Sequence, residues 1–171
     1  TFSPTYCRQF WKYSFSSGQW ARYPDFPATN QWRAACGFEV SGKIFVGLGD
    51  NGLGPGITSK EFWMYDPGSV SWTRKNDFPG QARVVPVSCV INGTAYVGMG
   101  VNSVSLTDFY KYDANLDAWT RLADFPGTGF VGRLFSIGGK AYACSGKQLW
   151  RFDPLANSWV QLSDLPGMLY N

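Results

Sequence analysis

Short apolar runs recur along the chain, and each is closed by glycine, asparagine or proline. Examples are FWMYD at 62–66, IFVGLG at 44–49 and AYVGMG at 95–100, which are rich in aromatic and β-branched residues. Runs of this length between turn residues are typical of β-strands. No segment keeps a 3.6-residue hydrophobic period, so we predict an all-β chain with almost no helix.

The runs belong to a unit that repeats. Three segments share a Tyr-Asp or Phe-Asp pair, a tryptophan and a closing Asp-Phe/Leu-Pro-Gly, and a fourth copy is less regular: 61–80, 108–127, 148–167 and 10–27. Their common tryptophans recur about every 40–50 residues, as in repeat architectures: Trp20, Trp72, Trp119 and Trp159. We interpret these tryptophans as packing between units rather than as a binding site.

A second recurring segment lies between these copies and completes the period. It reads SGKIFVGLG, NGTAYVGMG and GGKAYACSG, each after a short apolar run. One period therefore contains four strands, which we call a, b, c and d. Asn92-Gly93 and Gly138-Gly139 supply the positive φ that a tight a–b hairpin needs. Pro67 and Pro154 fix the start of the c–d turn, where the preceding Asp can accept bonds from turn amides.

This order of motifs resembles the kelch repeat. The resemblance rests on the apolar strand a, GKIFVGLG, WMYDP, the second tryptophan and DFP, and it extends over nearly the whole chain. It implies a β-propeller with strand a innermost and strand d outermost. Bacterial cell-envelope kelch proteins are the most similar because of the recurring DFPG. We predict an all-β, kelch-type β-propeller with about three and a half four-stranded blades, partial or completed by another chain.

The blades divide the chain into one propeller domain of four unequal parts. A half blade of strands c and d precedes three blades, the last followed by the start of a further strand: 1–27, 28–80, 81–127 and 128–171. The chain is thus part of a longer protein, half of a two-chain ring, or a small or open propeller. Its first residues show neither a signal-peptide pattern nor an initiating Met, so we expect a mature chain or a fragment.

Composition excludes several classes of function. The 171 residues carry a net charge of +3 without a polybasic run, and no apolar run approaches the length of a membrane span. We therefore expect neither nucleic-acid binding nor membrane insertion. The chain has no histidine, so the usual zinc or copper ligand is missing, and no metal or other cofactor is predicted. The four dispersed cysteines are predicted to be buried apolar residues, with a disulfide left open.

Candidate binding residues are those that the repeat does not explain. Trp32 lies in the d–a connection beside Arg33, which we match to Arg83 in the next blade. Such connections lie near one mouth of a kelch ring, where an arginine and an exposed aromatic ring can grip a carboxylate or a sugar. The arginine also belongs to the kelch pattern, in which it can instead join neighbouring blades by hydrogen bonds. In the third blade, Phe130 and Arg133 are the corresponding candidates.

Carboxylates and loops add four further candidates. Glu39 in strand a could line the channel, and Asp50 begins the longest b–c loop, which includes Asn51. The loop at 101–107 contains Asn102 and is the second candidate binding edge. Neither loop has the carboxylate spacing of a calcium loop or the Gly-Lys-Ser/Thr of a phosphate-binding loop.

Three functions remain open. The first is a non-enzymatic binding module that presents its loops to a glycan or a protein. The second is a carbohydrate-active enzyme, mutarotase- or hydrolase-like, for which only Glu39 and Asp50 are available as proton-transfer groups; a copper oxidase would need histidines. The third is a purely structural segment, and an adaptor of the eukaryotic kelch type is a minor further possibility. We predict a binding module, periplasmic or extracellular.

Overall fold

The computed structural model describes residues 8–27, 33–50 and 58–167, and the described chain is all-β. An N-terminal hairpin precedes three four-stranded antiparallel sheets. The hairpin pairs β1 (Phe10–Ser14) with β2 (Gln19–Tyr23). None of the described segments forms a helix with the length and hydropathy needed to cross a bilayer.

Each four-stranded sheet keeps the predicted order a, b, c, d. The first sheet contains β3 (Cys36–Val40), β4 (Lys43–Gly47), β5 (Phe62–Asp66) and β6 (Ser71–Lys75). The second contains β7 (Val87–Ile91), β8 (Thr94–Gly98), β11 (Phe109–Asp113) and β12 (Ala118–Arg121). The third contains β13 (Arg133–Ile137), β14 (Lys140–Ser145), β15 (Gln148–Asp153) and β16 (Ser158–Gln161). Inside the second b–c connection, β9 (Val101–Asn102) and β10 (Val104–Ser105) form a small hairpin that the sequence did not predict.

The turns use the chemistry that the sequence indicated. Asn92 and Gly93 have φ of 48° and 77°, and Gly138 and Gly139 are also left-handed, so both a–b turns adopt the expected tight form. In the c–d turns, the carboxylate of Asp66 accepts a bond from the Gly68 amide, which closes the turn around Pro67. These turns set the register of every sheet.

Successive sheets pack face to face, with their first strands side by side. Strand β7 contacts both β3 and β13, so the three a strands form one inner layer. Apolar side chains from the facing sheets fill the space between them; the second and third sheets contribute Cys89, Ile91, Tyr96, Phe109, Ala141, Ala143 and Phe152. The alternation of side chains along each strand thus gives the second sheet two apolar faces, one for each neighbouring sheet.

In the three four-stranded sheets, the tryptophan of the d strand joins its sheet to the preceding unit. The indole N–H of Trp72, Trp119 and Trp159 donates to the carbonyl of Pro24, Asn76 and Ala123, respectively, at 3.0–3.1 Å. Each of these carbonyls immediately precedes the Asp of the Asp-Phe-Pro motif. These three tryptophans therefore have the packing role that the repeat predicted. Trp20 of the N-terminal hairpin, for which the same role was predicted, is instead 65% exposed.

The Asp-Phe-Pro motif anchors the end of each d strand. Phe78 is fully buried, and its amide donates to the carbonyl of Lys60 in the b–c connection. In the second sheet, the Phe125 amide likewise donates to the Thr107 carbonyl. Because strands alternate in direction, the d–a and b–c connections lie at the same end of the sheets, and the anchor holds them there.

Candidate binding surface

The d–a and b–c connections form a continuous surface, here called the loop face, which comprises residues 33–35, 48–50, 79–86, 99–108 and 128–132. Backbone bonds join the connections to one another: Arg33 pairs with Asp50, Val84 pairs with Val101, and the Gly49 amide donates to the Arg83 carbonyl. Loops fixed in this way on a rigid scaffold are suited to binding.

Arg83 lies beneath the loop face rather than on it. Its side chain is 0% exposed, and its guanidinium donates to both oxygens of Asp108 at 2.6 and 2.7 Å. It also donates to the carbonyls of Met99 and Gln81 and lies over the ring of Phe78. Arg83 therefore stabilises the junction of two connections and is inaccessible to a ligand in this structure.

Arg33 and Arg83 are not equivalent, although the sequence matched them. Arg33 pairs with Asp50 as Val84 pairs with Val101, so the structural counterpart of Arg33 is Val84. A shift of one residue in an extended chain turns the side chain to the opposite side. Arg33 consequently remains 47% exposed, while its guanidinium donates to the buried carboxylate of Asp50 at 2.8 Å.

The third-sheet candidates lie at the edge of the loop face. Phe130 is half-buried next to the buried Val131, so only part of its ring is accessible. Arg133 is exposed at the start of β13 and donates to the carbonyl of Gly132. Of the two, Arg133 offers the accessible polar group.

The two carboxylates outside the repeat pattern do not converge. Asp50 is 2% exposed and belongs to the loop face, where it accepts from Arg33. Glu39 is exposed near the opposite end of β3 and accepts from the Gly42 amide in the a–b turn. They lie at opposite ends of the β3–β4 hairpin and so cannot act together on one substrate atom.

Asn102 has a structural contact as well as a place on the loop face. Its side-chain amide donates to the Ala82 carbonyl at 2.8 Å and fixes the β9–β10 hairpin to the d–a connection. At the tip of this hairpin, Val104 is 65% exposed. Two other candidates, Trp32 and Asn51, lie outside the described residues.

A polar cavity at the rim of the loop face was not predicted from the sequence. It has a volume of about 380 Å³ and lies between the d–a connection at 79–81 and the end of the b–c connection at 105–108. Tyr110, Arg121 and Asp124 complete its wall. The cavity draws on segments far apart in sequence, and most of its residues belong to the repeat, so no local motif marks it.

Charge and hydrogen-bonding groups dominate this cavity. Arg121 donates two bonds of 3.0 Å to Asp124, which raises the pKa of the guanidinium, and it remains largely exposed. Burial, with a smaller effect from Asp108, raises the pKa of Tyr110 above its usual value. The cavity is thus lined by the cation of Arg121, the carboxylates of Asp108 and Asp124, and neutral donors from Gln81, Ser105 and Thr107.

The three described cysteines are buried, as predicted. Cys36, Cys89 and Cys144 lie one in each sheet and form no disulfide with one another. Burial raises the pKa of the Cys36 and Cys89 thiols to about 12. Within the described ranges, no three Cys, Asp or Glu side chains come together in a way that could hold a metal ion.

Fold and surface together define an all-β protein of repeated four-stranded sheets. No protein-family model matches the chain, and no curated protein sequence matches it. Solved structures do match its fold. One is the structure of YjhT, which aligns with a TM-score of 0.74 and 18% sequence identity over 88% of this chain. The alignment covers 58% of YjhT, so this chain spans less than two thirds of that protein, and the likeness concerns the fold alone.

Proposed function

We propose that this chain is part of a kelch-type β-propeller that acts as a non-enzymatic binding module, with a glycan as its ligand. The propeller architecture is supported by the a–b–c–d order of each sheet, the inner layer of a strands and the repeated indole–carbonyl bonds. The similarity to kelch proteins of the bacterial cell envelope supports a periplasmic or extracellular location.

The polar cavity carries the proposal of a glycan ligand. Its volume of about 380 Å³ lies within the roughly 300–1,000 Å³ of typical ligand sites. A sugar ring needs several directional hydrogen bonds, and Arg121, Gln81 and Thr107 supply donors around a common space. An acidic sugar would gain a charge-assisted bond with Arg121.

A protein partner is the second candidate, because the same surface also exposes apolar side chains. Val104 at the β9–β10 tip and Val85 in the d–a connection are exposed, and the exposed Arg33 and Arg133 lie in or next to the other d–a connections. Exposed apolar groups with neighbouring arginines are typical of protein interfaces.

The separation of Glu39 and Asp50 supports binding without catalysis. A sugar hydrolase or mutarotase needs two proton-transfer groups placed around one reacting centre. Asp50 lies on the loop face and is held by Arg33, whereas Glu39 is bound at the a–b turn. This placement favours a binding module over the carbohydrate-active enzyme.

A thermal-shift screen with neutral and acidic mono- and oligosaccharides tests the glycan proposal. We expect at least one sugar to raise the melting temperature in a concentration-dependent way, because a ligand of the folded state stabilises it. Arg121→Ala should weaken the apparent affinity about tenfold or more, since it removes a charged donor.

Arg22→Ala is the matched control. Arg22 forms the same exposed pair with Asp25 in the N-terminal hairpin, outside the cavity, so its loss should leave the affinity unchanged. An absence of any shift with every sugar, or an equal loss in both variants, would contradict the glycan proposal. The first outcome would leave the protein partner as the function to test.

A further inference from the structure

Tyr110 lies at a position that holds tryptophan in the other units of the repeat. The equivalent residues pair with the same position of strand d: Trp11 with Arg22, Trp63 with Arg74, Tyr110 with Arg121 and Trp150 with Gln161. Where the residue is tryptophan, its indole N–H donates to the side chain two residues earlier, at 3.1–3.4 Å: Gln9, Glu61 and Gln148. In those units, the ring nitrogen therefore has a partner within its own strand or next to it.

In the second sheet, both members of this bond differ. Asp108 takes the place of the longer Glu61 and Gln148, and its carboxylate accepts from Arg83 instead. Tyr110 is only 7% exposed, yet its hydroxyl forms no hydrogen bond with any described residue. A buried hydroxyl without a partner typically costs about 1–3 kcal/mol, so this group is available to a bound molecule.

The Tyr110 hydroxyl belongs to the polar cavity. Burial raises the pKa of Tyr110, and the charges that act on it are those of Asp108, Arg121, Arg83 and Asp124. Three of these four residues line the polar cavity together with Tyr110. The hydroxyl therefore lies among the charged groups of the cavity wall, and it stays protonated at neutral pH and can donate.

The smaller ring also accounts for the space. In the third sheet, the indole nitrogen of Trp150 lies so close to Gly127 that a Cβ on this glycine would be 2.9 Å from it. The equivalent residues of the second sheet, Tyr110 and Gly80, both line the cavity. The Tyr110 ring is held edge-on against Phe78, with 4.9 Å between ring centroids. A tryptophan at position 110 would therefore extend into the cavity.

The charged groups around the cavity balance one another. Arg121 pairs with Asp124, and the buried Arg83 pairs with Asp108. An anionic ligand would meet two carboxylates as well as Arg121, and a cationic ligand would meet Arg121 itself. A neutral ligand avoids both repulsions, because the cavity offers no unpaired charge.

The remaining groups of the wall suit the hydroxyls of a sugar. The hydroxyls of Tyr110, Ser105 and Thr107 can each donate and accept, as can the side-chain amide of Gln81. Arg121 donates to Asp124 through Nη2 alone, so its Nε and Nη1 remain as donors beside a carboxylate that can still accept. A donor next to an acceptor matches two neighbouring sugar hydroxyls.

We propose that the polar cavity takes a neutral sugar unit and that the Tyr110 hydroxyl bonds it directly. This inference rests on the glycan-binding function proposed above and specifies its ligand. The volume of about 380 Å³ is near the lower end of the roughly 300–1,000 Å³ of ligand sites, which suits a single sugar unit. Tyrosine rather than tryptophan at position 110 makes the second sheet the one that can hold it.

The test is a ¹H–¹⁵N NMR titration with three matched pairs of monosaccharides: glucose, galactose and mannose, and the uronic acid of each. The members of a pair differ only at C6, where a carboxylate replaces the CH₂OH group. We expect at least one neutral sugar to give saturable shifts at Gly80, Gln81 and Thr107. Its uronic acid should bind at least about fivefold more weakly, because it brings a negative charge to Asp108 and Asp124.

Variants of Tyr110 test the contact itself. Tyr110→Phe keeps the ring against Phe78 and removes the hydroxyl, so it should weaken the affinity about three- to tenfold, the effect of one hydrogen bond. Tyr110→Trp introduces the residue of the equivalent positions and should abolish the saturable shifts. Tyr65→Phe is the matched control, because it removes another buried hydroxyl without a partner, outside the cavity. Its affinity should equal that of the wild type.

The outcomes separate this inference from the proposed function. Unchanged affinity in either Tyr110 variant, an equal loss in Tyr65→Phe, or a uronic acid that binds as tightly as its neutral partner would overturn the inference, while sugar binding at the cavity would still stand. No saturable shift with any of the six sugars would contradict both. Urea denaturation shows that each variant is folded before it is titrated.

Discussion

Val70 adopts a backbone conformation that a β-branched residue tolerates poorly. Its φ is 53°, and the equivalent positions in the other c–d turns, also left-handed, hold Gly18, Asp117 and Asn157. The Asp117 carboxylate accepts a 2.7 Å bond from the Tyr112 hydroxyl. The equivalent hydroxyl, that of Tyr65, is buried and meets no hydrogen-bond partner among the described residues. Valine is therefore unfavourable at position 70 because its side chain strains a left-handed backbone and because it offers the Tyr65 hydroxyl no acceptor.

We expect Val70→Asn to stabilise the protein by about 1–2 kcal/mol, because asparagine tolerates positive φ and offers Tyr65 an acceptor. Val70→Gly relieves only the backbone strain and should give a smaller gain. Urea denaturation measures both effects. Leu155→Asn, in an exposed turn position without positive φ, is the control and should change little. A loss of stability in Val70→Asn would contradict this account of the turn.

The sequence identified these turns but not their strain. Asn92-Gly93 carries its left-handed conformation in its residue types, and so was predictable. Ser41 and Val70 adopt the same conformation without a residue type that indicates it, because the sheet register imposes it. Whether the Tyr65 hydroxyl finds a hydrogen-bond partner likewise depends on which turn residue lies beside it in the folded chain.

At the scale of the elements, the pairing of connections decides what each arginine does. Arg83 is enclosed with Asp108 between the d–a and b–c connections, so its removal would leave a largely buried carboxylate without its partner. Breaking such a pair typically costs about 3–5 kcal/mol. We expect Arg83→Ala to lower stability by this amount in chemical denaturation.

Two comparisons sharpen this prediction. Arg83→Lys should also destabilise, because an ammonium group cannot reproduce the two-pronged contact with Asp108. Arg22→Ala breaks an exposed pair and should change stability by no more than about 1 kcal/mol. If Arg83→Ala and Arg22→Ala were equally mild, the structural role assigned to Arg83 would be wrong.

Strand order was predictable at this scale, whereas register was not. Short apolar runs bounded by glycine, asparagine or proline predicted all four strands of each sheet, and the spacing of the tryptophans predicted their repetition. The match of Arg33 to Arg83 was wrong by one residue because both connections contain an arginine at nearly the same distance from strand a. Only the backbone pairing of Arg33 with Asp50 and of Val84 with Val101 reveals the shift.

For the whole molecule, buried thiols make stability depend on alkaline pH. Burial raises the pKa of Cys36 and Cys89 to about 12, above the value of about 8.5 in an unfolded chain. The unfolded state therefore releases these protons first as pH rises. Their contribution is fully present below about pH 8.5 and is lost progressively up to pH 12.

We expect the free energy of unfolding to fall between pH 9 and pH 10 by about 1.4 kcal/mol per pH unit for each such thiol. Urea denaturation under reducing conditions measures the slope. Cys89→Ala removes one of the two buried thiols. It should therefore reduce the slope by the contribution of one thiol, independently of its effect on stability at neutral pH. A stability independent of pH over this interval would show that the thiols are accessible.

The polar cavity is also a property of the whole molecule. Two connections and the outer strands of the second sheet form it together, so residue types alone could not reveal it. The backbone pairing of Arg33 with Asp50 and of Val84 with Val101 shows that the described ends of the two b–c connections lie beside d–a connections. To predict which side chains enclose a space between these connections, one must know how the sheets pack.

The most direct measurement of the proposed function is a ¹H–¹⁵N NMR titration of the chain with the sugars of the screen. Binding at the cavity predicts saturable shifts at Gly80, Gln81, Ser105 and Thr107, and at the Arg121 side chain, with little change in the N-terminal hairpin. Saturable shifts confined to other regions, or none with any sugar at millimolar concentration, would contradict a glycan site at the loop face.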